Sequence, residues 1–264
     1  MTIRSTRLRR AFQFAAGATL ALVAAAPASA GPVTFAQYFQ SNGALQQWTI
    51  ATSGTTTTVS ASGAVSFNFS GVAGLPFSGP ENANFTINAT STTTGNCSNV
   101  CAGGDTYTQQ GYSGTFSFID NGGGFAQGSN LLSGTFAVTG APTVTGAQFS
   151  STVGAGSGSF NASAVVGNLN QLVFTSAYLN FAGQTQEVAS WSLSSLAPNF
   201  AVGTVTSGTA YPAAGPFHAS GSGTFSSSAA PSSTPEPSTW IFMSAGLCAL
   251  VFIKRRHQTA SVTR

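Results

Sequence analysis

The sequence has almost no charge outside its two ends. Of its 264 residues only 5% are Asp, Glu, Lys or Arg, and all 8 Lys and Arg residues lie before residue 31 or after residue 234. A domain without cations cannot neutralise phosphates, so this composition excludes nucleic-acid binding. It also excludes bidentate recognition of a carboxylate or phosphate by arginine. The acidic residues of the segment 31–234 are Glu81, Asp105, Asp120 and Glu187.

Side chains for catalysis are equally scarce in this segment. A serine-hydrolase triad needs a histidine, and the segment has only His218. A glycosidase needs two carboxyl groups about 5 to 9 Å apart, and Asp105 and Asp120 lie in stretches typical of turns. The segment also lacks a Gly-x-Ser-x-Gly elbow and a phosphate-binding loop. We therefore predict no enzymatic activity, no metal site and no cofactor.

Cysteine is rare as well, and its positions favour a disulfide. Cys97 and Cys101 lie close together in a Gly/Asn-rich stretch, and Cys248 lies in an apolar segment near the end. Outside the cytoplasm a cysteine pair is oxidised by default, so we predict a Cys97–Cys101 disulfide. The closed loop is short, so its expected contribution to stability is about 2 kcal/mol.

The N-terminal end has the composition of a signal peptide. Residues 1–30 contain an arginine-rich start and an apolar stretch, and they end in Ala28-Ser29-Ala30 before Gly31. We expect cleavage between Ala30 and Gly31 by signal peptidase. The general secretory route is favoured over the twin-arginine route, because no cofactor site requires export of a folded protein and Leu8 replaces the usual polar residue before Arg9-Arg10.

The C-terminal end has three parts in a fixed order. Pro235-Glu236-Pro237 keeps the backbone extended, since proline prevents a helix. An uncharged apolar segment, 239–253, follows, and as a helix it would span about 22 Å of membrane. The basic residues Lys254, Arg255 and Arg256 are expected to retain this helix on the cytoplasmic side.

This order resembles the PEP-CTERM sorting signal, over residues 235–258, with 259–264 as a short tail. The resemblance rests on Pro235, Glu236, Pro237 and Ser238, the apolar segment and the basic cluster. It implies export in a Gram-negative-type bacterium, cleavage near the motif by a membrane-embedded exosortase, and association with exopolysaccharide. It also implies an inner-membrane intermediate and a final place on the cell surface or in the extracellular matrix. An ordinary C-terminal membrane anchor is the alternative.

Between the two ends, the pattern predicts an all-β domain over residues 31–225 and a Ser/Ala/Pro linker over 226–234. Apolar residues recur at every second position between Gly, Ser and Asn clusters, which favours an antiparallel β-sandwich, with a parallel β-helix as runner-up. Only Phe35–Gln40 and Gln46–Trp48 indicate a short helix or loop. A signal helix and a transmembrane helix are expected to flank the domain. The alternating sets are Val65, Phe67, Phe69; Phe85, Ile87, Ala89; Phe116, Phe118; Phe136, Val138; Ala189, Trp191, Leu193; and Phe200, Val202.

The tetrapeptide Ser-Gly-Thr-Phe occurs three times at irregular separations, starting at Ser113, Ser133 and Ser222. We interpret it as a turn leading into a strand, in which Gly forms the turn and Thr and Phe begin the strand. This interpretation is favoured over a duplicated structural unit.

Three surface features bear on partners. The Ser/Thr-rich stretches 52–62 and 91–94 are candidate sites for O-linked sugar, although exposed strands or loops would have the same composition. With no lysine and few carboxylates to protect edge strands, the domain is also expected to self-associate. Aromatic side chains are candidates for stacking on sugar rings or for the core, namely Trp48, Trp191, Tyr107, Tyr112, Tyr178 and Tyr211.

These patterns leave three functions open. The first is a structural protein of the cell surface or matrix without enzymatic activity. The second is a lectin-like module that binds polysaccharide, although no pattern in the sequence identifies its ligand site. The third is a secreted hydrolase, which would have to use Glu187 or His218.

Overall fold

A computed structural model gives the architecture and describes residues 31–40, 46–77, 79–137, 146–164, 172–207 and 209–233. The described chain consists of strands and their connections. The strands are β1 (Val33–Gln40), β2 (Trp48–Ser53), β3 (Thr56–Phe69), β4 (Glu81–Ser91), β5 (Asn96–Cys97), β6 (Thr106–Asp120), β7 (Asn130–Phe136), β8 (Ala147–Thr152), β9 (Ser157–Ala164), β10 (Leu172–Thr175), β11 (Leu179–Asn180), β12 (Glu187–Ala197), β13 (Val202–Ser207), β14 (Thr209–Ala214), β15 (Phe217–Ser227) and β16 (Ser232–Ser233).

The long strands form a closed antiparallel barrel of eight strands. Going around the wall, β1 pairs with β3, β3 with β4, β4 with β6, β6 with β8, β8 with β9, β9 with β12 and β12 with β15. The first and last of these strands close the wall, because β15 also pairs with β1. The order around the barrel therefore follows the chain, as in an up-and-down barrel.

Some positions in the wall are shared by two short strands. Both β1 and β2 lie between β3 and β15, and both β7 and β8 pair with β6, one after the other. The two ends of the barrel are distinct. At the Glu187 end, β12 begins opposite the last residue of β15, Ser227. At the disulfide end, β5 pairs with the first residues of β6, near Cys97 and Cys101.

The all-β, antiparallel prediction is confirmed for the described residues. The predicted β-sandwich is not confirmed, because a single hydrogen-bonded sheet closes on itself where a sandwich has two separate sheets. Every strand pairing of the described chain is antiparallel, which does not fit the runner-up, a parallel β-helix. The two expected flanking helices lie outside the described residues.

Strict alternation of side chains separates the interior of the barrel from its outer face. In β4, the buried positions include Phe85 and Ile87, and the exposed ones between and beside them include Asn84, Thr86 and Asn88. This period of two is the reason for the alternating apolar pattern of the sequence. The described members of the alternating sets are buried except Val202, which is half-buried, and Val138 lies outside the described residues.

Aromatic rings fill the interior. Trp191 has no exposed surface, and the centroid of its ring system lies 5.3 Å from that of Phe116 and 5.5 Å from that of Phe160. Phe85 and Phe118 stack with their ring centroids 4.8 Å apart. Trp191 of β12 and Phe116 of β6 lie on strands that are not neighbours in the wall, so their contact crosses the interior, which is a packed core.

The interpretation of Phe35–Gln40 as a short helix or loop is wrong, because these residues lie in β1. The strand packs Phe35 and Tyr38 into the core, and a register shift between Thr34 and Ala36 interrupts its pairing with β15. The shift breaks the period-two pattern and hides the strand in the sequence. Trp48, the last residue of the second predicted short helix or loop, begins β2.

The three Ser-Gly-Thr-Phe segments lie within strands, so the interpretation as turns is wrong. Two of them face each other across β6 and β7, where Gly114 pairs with Phe136 and Phe116 pairs with Gly134. The third lies in β15, where Gly223 is between Tyr38 and Trp191. A glycine in these positions leaves room for the neighbouring large side chain inside the barrel.

The described part of the predicted linker 226–234, which ends at Ser233, remains in contact with the barrel. β15 continues to Ser227, and Ser232–Ser233 forms β16, which pairs with β11. The Ser228 hydroxyl also accepts a hydrogen bond from Thr185 N (2.9 Å). These bonds tie the chain to the Glu187 end of the barrel as far as Ser233.

Closure of the wall changes the reason for expecting self-association. The expectation assumes several unprotected edge strands, but β1 and β15 pair with each other and close the wall. Among the described strands, β10 pairs only with β7 and β5 only with β6, so each leaves one edge without a neighbouring strand. Self-association stays a prediction, and it would have to use these short edges or other surfaces of the domain.

Candidate functional site: a cavity at the Glu187 end of the barrel

A cavity of about 480 Å³ lies at the Glu187 end of the barrel. This volume is within the range of pockets that hold small molecules, about 300 to 1,000 Å³. The lining comes from one continuous part of the chain, from β10 through β11 to the start of β12. It consists of Val173, Phe174, Thr175, Ser176, Leu179, Asn180, Phe181, Ala182, Gly183, Gln184 and Glu187.

Glu187 is the only titratable side chain in this lining. It is the first residue of β12 and is 5% exposed, and its Oε2 accepts a hydrogen bond from Phe174 N (3.0 Å). No other described residue is seen to donate to its carboxylate. Burial raises the pKa of Glu187 from its ordinary value of 4.5 to about 7, and the hydrogen bond from Phe174 N opposes this rise.

Two amide side chains in the lining have a fixed orientation. Asn180 Oδ1 accepts a hydrogen bond from Ala182 N (2.9 Å), and Gln184 Oε1 accepts one from Ala229 N (3.1 Å). Because a backbone N–H can only donate, these atoms must be the amide oxygens. The NH₂ groups of Asn180 and Gln184 make no hydrogen bond with the described residues and are available as donors.

The remaining wall is mainly apolar. Phe174 and Leu179 are each 3% exposed, while Phe181 is half-buried. The ring centroid of Phe181 lies 5.6 Å from that of Phe174 and 5.3 Å from that of Phe35, so core rings hold it in place. The cavity thus combines a supported aromatic ring with one carboxylate and two amide donors.

The other buried carboxylates of this end belong to a turn and not to the cavity. Gly124 N donates to both oxygens of Glu81 (2.9 Å each), and Gly122 N donates to Asp120 Oδ2 (3.1 Å). Glu81 and Asp120 therefore hold the turn between β6 and β7, in agreement with the turn predicted for Asp120. Neither of them lines the cavity.

The remaining candidate groups lie at the disulfide end. Cys97 and Cys101 are at disulfide distance, with their Cα atoms 5.3 Å apart, as predicted. Asp105 Oδ2 accepts a hydrogen bond from Ala102 N (2.9 Å) in the same turn. His218 is exposed near the start of β15, where its Nδ1 and Thr49 Oγ1 are 3.1 Å apart. Since Glu187 pairs with the other end of β15, the structure does not bring it together with His218.

Four of the six aromatic candidates for sugar stacking are in the core. Trp48, Trp191, Tyr107 and Tyr112 are at most 1% exposed, so no sugar can stack on their rings. The hydroxyl groups of Tyr107 and Tyr112 both donate to Gln109 Oε1, at 3.1 and 2.8 Å, inside the barrel.

The last two candidates differ from these four. Tyr178 is half-buried, and its ring centroid lies 4.3 Å from that of Phe125, while its hydroxyl accepts a hydrogen bond from Ala126 N (3.2 Å). The side chain of Tyr211 lies outside the described part of the structure. The four candidates in the described core therefore cannot form a platform on which a sugar ring stacks.

The predicted processing residues lie outside the described part of the chain. These are the signal peptide with Ala28 and Ala30, and the whole sorting segment 235–258; Gly31 is the first described residue. Among the described residues, no helix is long and apolar enough to cross a membrane. Within the same ranges, no three His, Cys, Asp or Glu side chains come close enough together to hold a metal ion.

Comparison of the chain with protein-family models, with curated proteins and with solved structures found no match. The arrangement of residues in the cavity is therefore the basis on which a function of this barrel can be argued.

The stability of the protein is expected to fall as the pH rises from about 5 to 7.5. The folded state holds the Glu187 proton in a pH range where the unfolded chain has released it, because the pKa is about 7 when folded and 4.5 ordinarily. The resulting stabilisation is complete below pH 4.5 and is lost as the pH rises through 7. We expect a loss of about 1–2 kcal/mol, less than the full shift would give, because water in the cavity weakens the effect.

Chemical denaturation of the wild type and of Glu187→Gln at both pH values measures this loss. The variant cannot release a proton at this position, so the difference in stability between the two proteins should change with pH. Asp105→Asn, at the opposite end of the barrel, is the matched control and should keep the pH dependence of the wild type. The assignment to Glu187 is wrong if Glu187→Gln also keeps it.

Proposed function

We propose that this chain is an exported, exosortase-processed protein of the cell surface or extracellular matrix, associated with exopolysaccharide, in which the barrel has a non-enzymatic structural role. The support in the sequence is the Pro235-Glu236-Pro237-Ser238 motif, the apolar segment 239–253 and the basic residues 254–256. On this proposal, signal peptidase and exosortase cut the chain, and the C-terminal helix holds it in the inner membrane only until the second cut.

The observation that carries the proposal is the junction between the barrel and the motif. Ser232 pairs with Asn180 and Ser233 pairs with Leu179, so the chain is hydrogen-bonded to the barrel up to Ser233. Thr234 alone separates that position from Pro235. A cut near Pro-Glu-Pro would remove the tail and leave every described strand in place, which is what a processed surface protein requires.

The composition of the two faces of the wall supports the structural role. Large aromatic side chains fill the interior, and uncharged polar side chains such as Asn84, Thr86 and Asn88 form the outer face. A neutral outer face of hydroxyl and amide groups can hydrogen-bond to a neutral polymer along much of its surface, and salt has little charge to screen there.

The cavity favours a second candidate function, a module that binds polysaccharide. It offers a half-buried ring at Phe181 and polar groups at Asn180, Gln184 and Glu187, in a wall that is otherwise mainly apolar. The third candidate, a secreted hydrolase, has less support, because the lining of the cavity contains one carboxyl group, Glu187, where a glycosidase needs two.

Intact-mass analysis of the protein on the outside of producing cells tests the proposed processing. The expected polypeptide begins at Gly31 and ends near Pro235, without the segment 240–264. Its mass should also be lower by two hydrogens than that of the reduced form, because Cys97 and Cys101 are joined. The processed protein should copurify with exopolysaccharide.

A variant in which Ala replaces Pro235, Glu236 and Pro237 is the control for the role of the motif. Its barrel is unchanged, so it should fold, but it should keep the apolar segment and stay with the membrane fraction. Wild-type protein that carries residues 240–264 on the cell surface would contradict the proposal and leave the ordinary membrane anchor.

A further inference from the structure

We propose that the cavity at the Glu187 end of the barrel binds one residue of a neutral sugar, with the Glu187 carboxylate as acceptor, the amides of Asn180 and Gln184 as donors, and Phe181 as the apolar wall. This inference rests on the proposed function only for the source of the sugar, a neutral polysaccharide outside the cell. The site itself is argued from the groups that line the cavity.

The hydrogen-bonding groups match a polyol. Each sugar hydroxyl both donates and accepts, so a site for it needs acceptors and donors close together. Glu187 offers carboxylate oxygens, of which Oε2 accepts only the bond from Phe174 N among the described donors. Asn180 and Gln184 offer NH₂ groups, because backbone N–H groups already use their oxygens.

These polar groups are pre-arranged. Gln184 Oε1 accepts a second hydrogen bond from Ser228 Oγ (3.0 Å), and Asn180 pairs with Ser232 in the β11–β16 ladder. The side chain of Gln184 is thus held by the chain segment that follows β15. The side chain of Asn180 is held by Ala182 N, and its backbone pairs with that same segment. A site whose side chains are fixed before binding loses less conformational entropy when the ligand enters.

A sugar ring also has faces made of C–H groups, and the apolar part of the cavity wall fits these faces. Phe181 is half-buried beside Phe174 and Phe35, so it presents a supported aromatic surface of limited size. Aromatic surfaces of this kind favour a flat partner with an apolar face. A purely apolar ligand would leave the buried Glu187 carboxyl with only the hydrogen bond from Phe174 N, which is costly.

Charge selects a neutral sugar over an acidic one. The segment 31–234 contains no Lys or Arg, so the cavity cannot offer a cation to a uronic acid. An ionised Glu187 would also repel a ligand carboxylate bound beside it. The ligand should therefore carry hydroxyl groups and no negative charge.

Ligand-observed saturation-transfer NMR on the full-length chain tests this proposal, in a detergent without a sugar head group. The probes are the methyl glycosides of glucose, galactose and mannose, compared with methyl glucuronide, at a pH above 7.5. At least one neutral glycoside should bind saturably in the millimolar range, and the glucuronide should bind at least tenfold more weakly.

Variants separate a binding role from a structural one. Glu187→Gln should weaken the neutral sugar about tenfold, since it loses charge-assisted hydrogen bonds. It should also reduce the discrimination against the glucuronide, an effect that general damage to the fold would not produce. Asn180→Ala, at an exposed position, should weaken binding several-fold. Asp105→Asn at the disulfide end is the matched control and should bind as the wild type does.

Several outcomes would overturn the proposal. These are no saturable binding of any neutral glycoside, equal binding of the glucuronide, stronger binding of a simple amine such as cyclohexylamine, or unchanged binding by Glu187→Gln. Each of these results is independent of whether the tail is removed, so failure of this inference can be distinguished from failure of the proposed processing.

Discussion

Replacing Trp191 by alanine is expected to lower the free energy of unfolding by about 3–5 kcal/mol. Trp191 has no exposed surface, and the centroid of its ring system lies 5.3 Å from that of Phe116 and 5.8 Å from that of Phe225. These rings come from different strands of the wall, so the loss of the indole leaves a cavity that local repacking cannot fill. Guanidinium denaturation followed by far-ultraviolet circular dichroism measures the change.

Phe39→Ala is the control for this experiment. Phe39 also carries a large ring in a strand, but it is 54% exposed on the outer face. Its loss should change the stability by no more than about 0.5 kcal/mol. If Trp191→Ala is as mild as Phe39→Ala, the centre of the barrel does not depend on the packed rings.

Replacing Gly134 by alanine is expected to destabilise the protein by about 1–3 kcal/mol, although only one methyl group is added. A Cβ atom at this position would lie 2.3 Å from Cε1 of the Phe116 ring. Phe116 is 2% exposed, and its ring centroid lies 5.3 Å from those of Trp191 and Phe225, so it has little room to move. The same denaturation measurement applies.

Gly103→Ala is the matched substitution, because a Cβ atom there meets nothing within 4 Å. It should leave the stability within about 0.5 kcal/mol of the wild type. An equal loss for the two substitutions would contradict a steric role for Gly134, because the effect of alanine on the unfolded chain is the same in both and is stabilising.

The sequence was informative about which side chains face inward. The alternation in sets such as Val65, Phe67 and Phe69 requires only that one side of each strand is buried, and the structure confirms it. Alternation is the same in a sandwich and in a barrel, however. The two differ in whether β1 pairs with β15, and that pairing depends on residues almost a whole domain apart.

The glycines of the tetrapeptides show a second limit. A glycine next to Ser and Thr is typical of a turn, and nothing local distinguishes it from a glycine that makes room for a ring on the next strand. Only the reciprocal pairing of Gly114 with Phe136 and of Phe116 with Gly134 identifies the second role.

The cavity could be predicted only in part. Glu187 is one of very few carboxylates of the domain, and it lies at the start of an alternating strand. This position predicts a buried charge, for which a functional explanation is needed. The importance of Phe181, Asn180 and Gln184 was missed, because their role depends on how β11 and the residues after β15 meet. Local composition does not indicate that β11 and the residues after β15 contact each other.

The pairing of β1 with β15 also determines when the protein can finish folding. Thr34 Oγ1 and Ser226 Oγ lie 3.0 Å apart, although 192 positions separate them in the chain. Neighbouring strands can pair as each one emerges, because their order in the wall follows the chain, but a contact between the first and last strands requires nearly the whole chain.

On the proposed export route, the open sheet leaves its aromatic face uncovered and prone to aggregation until Ser227 has crossed the membrane. On the same route, the sorting segment then still holds the chain at the membrane. Each retained molecule can therefore complete its barrel before it is released, while it is separated from other copies of the chain.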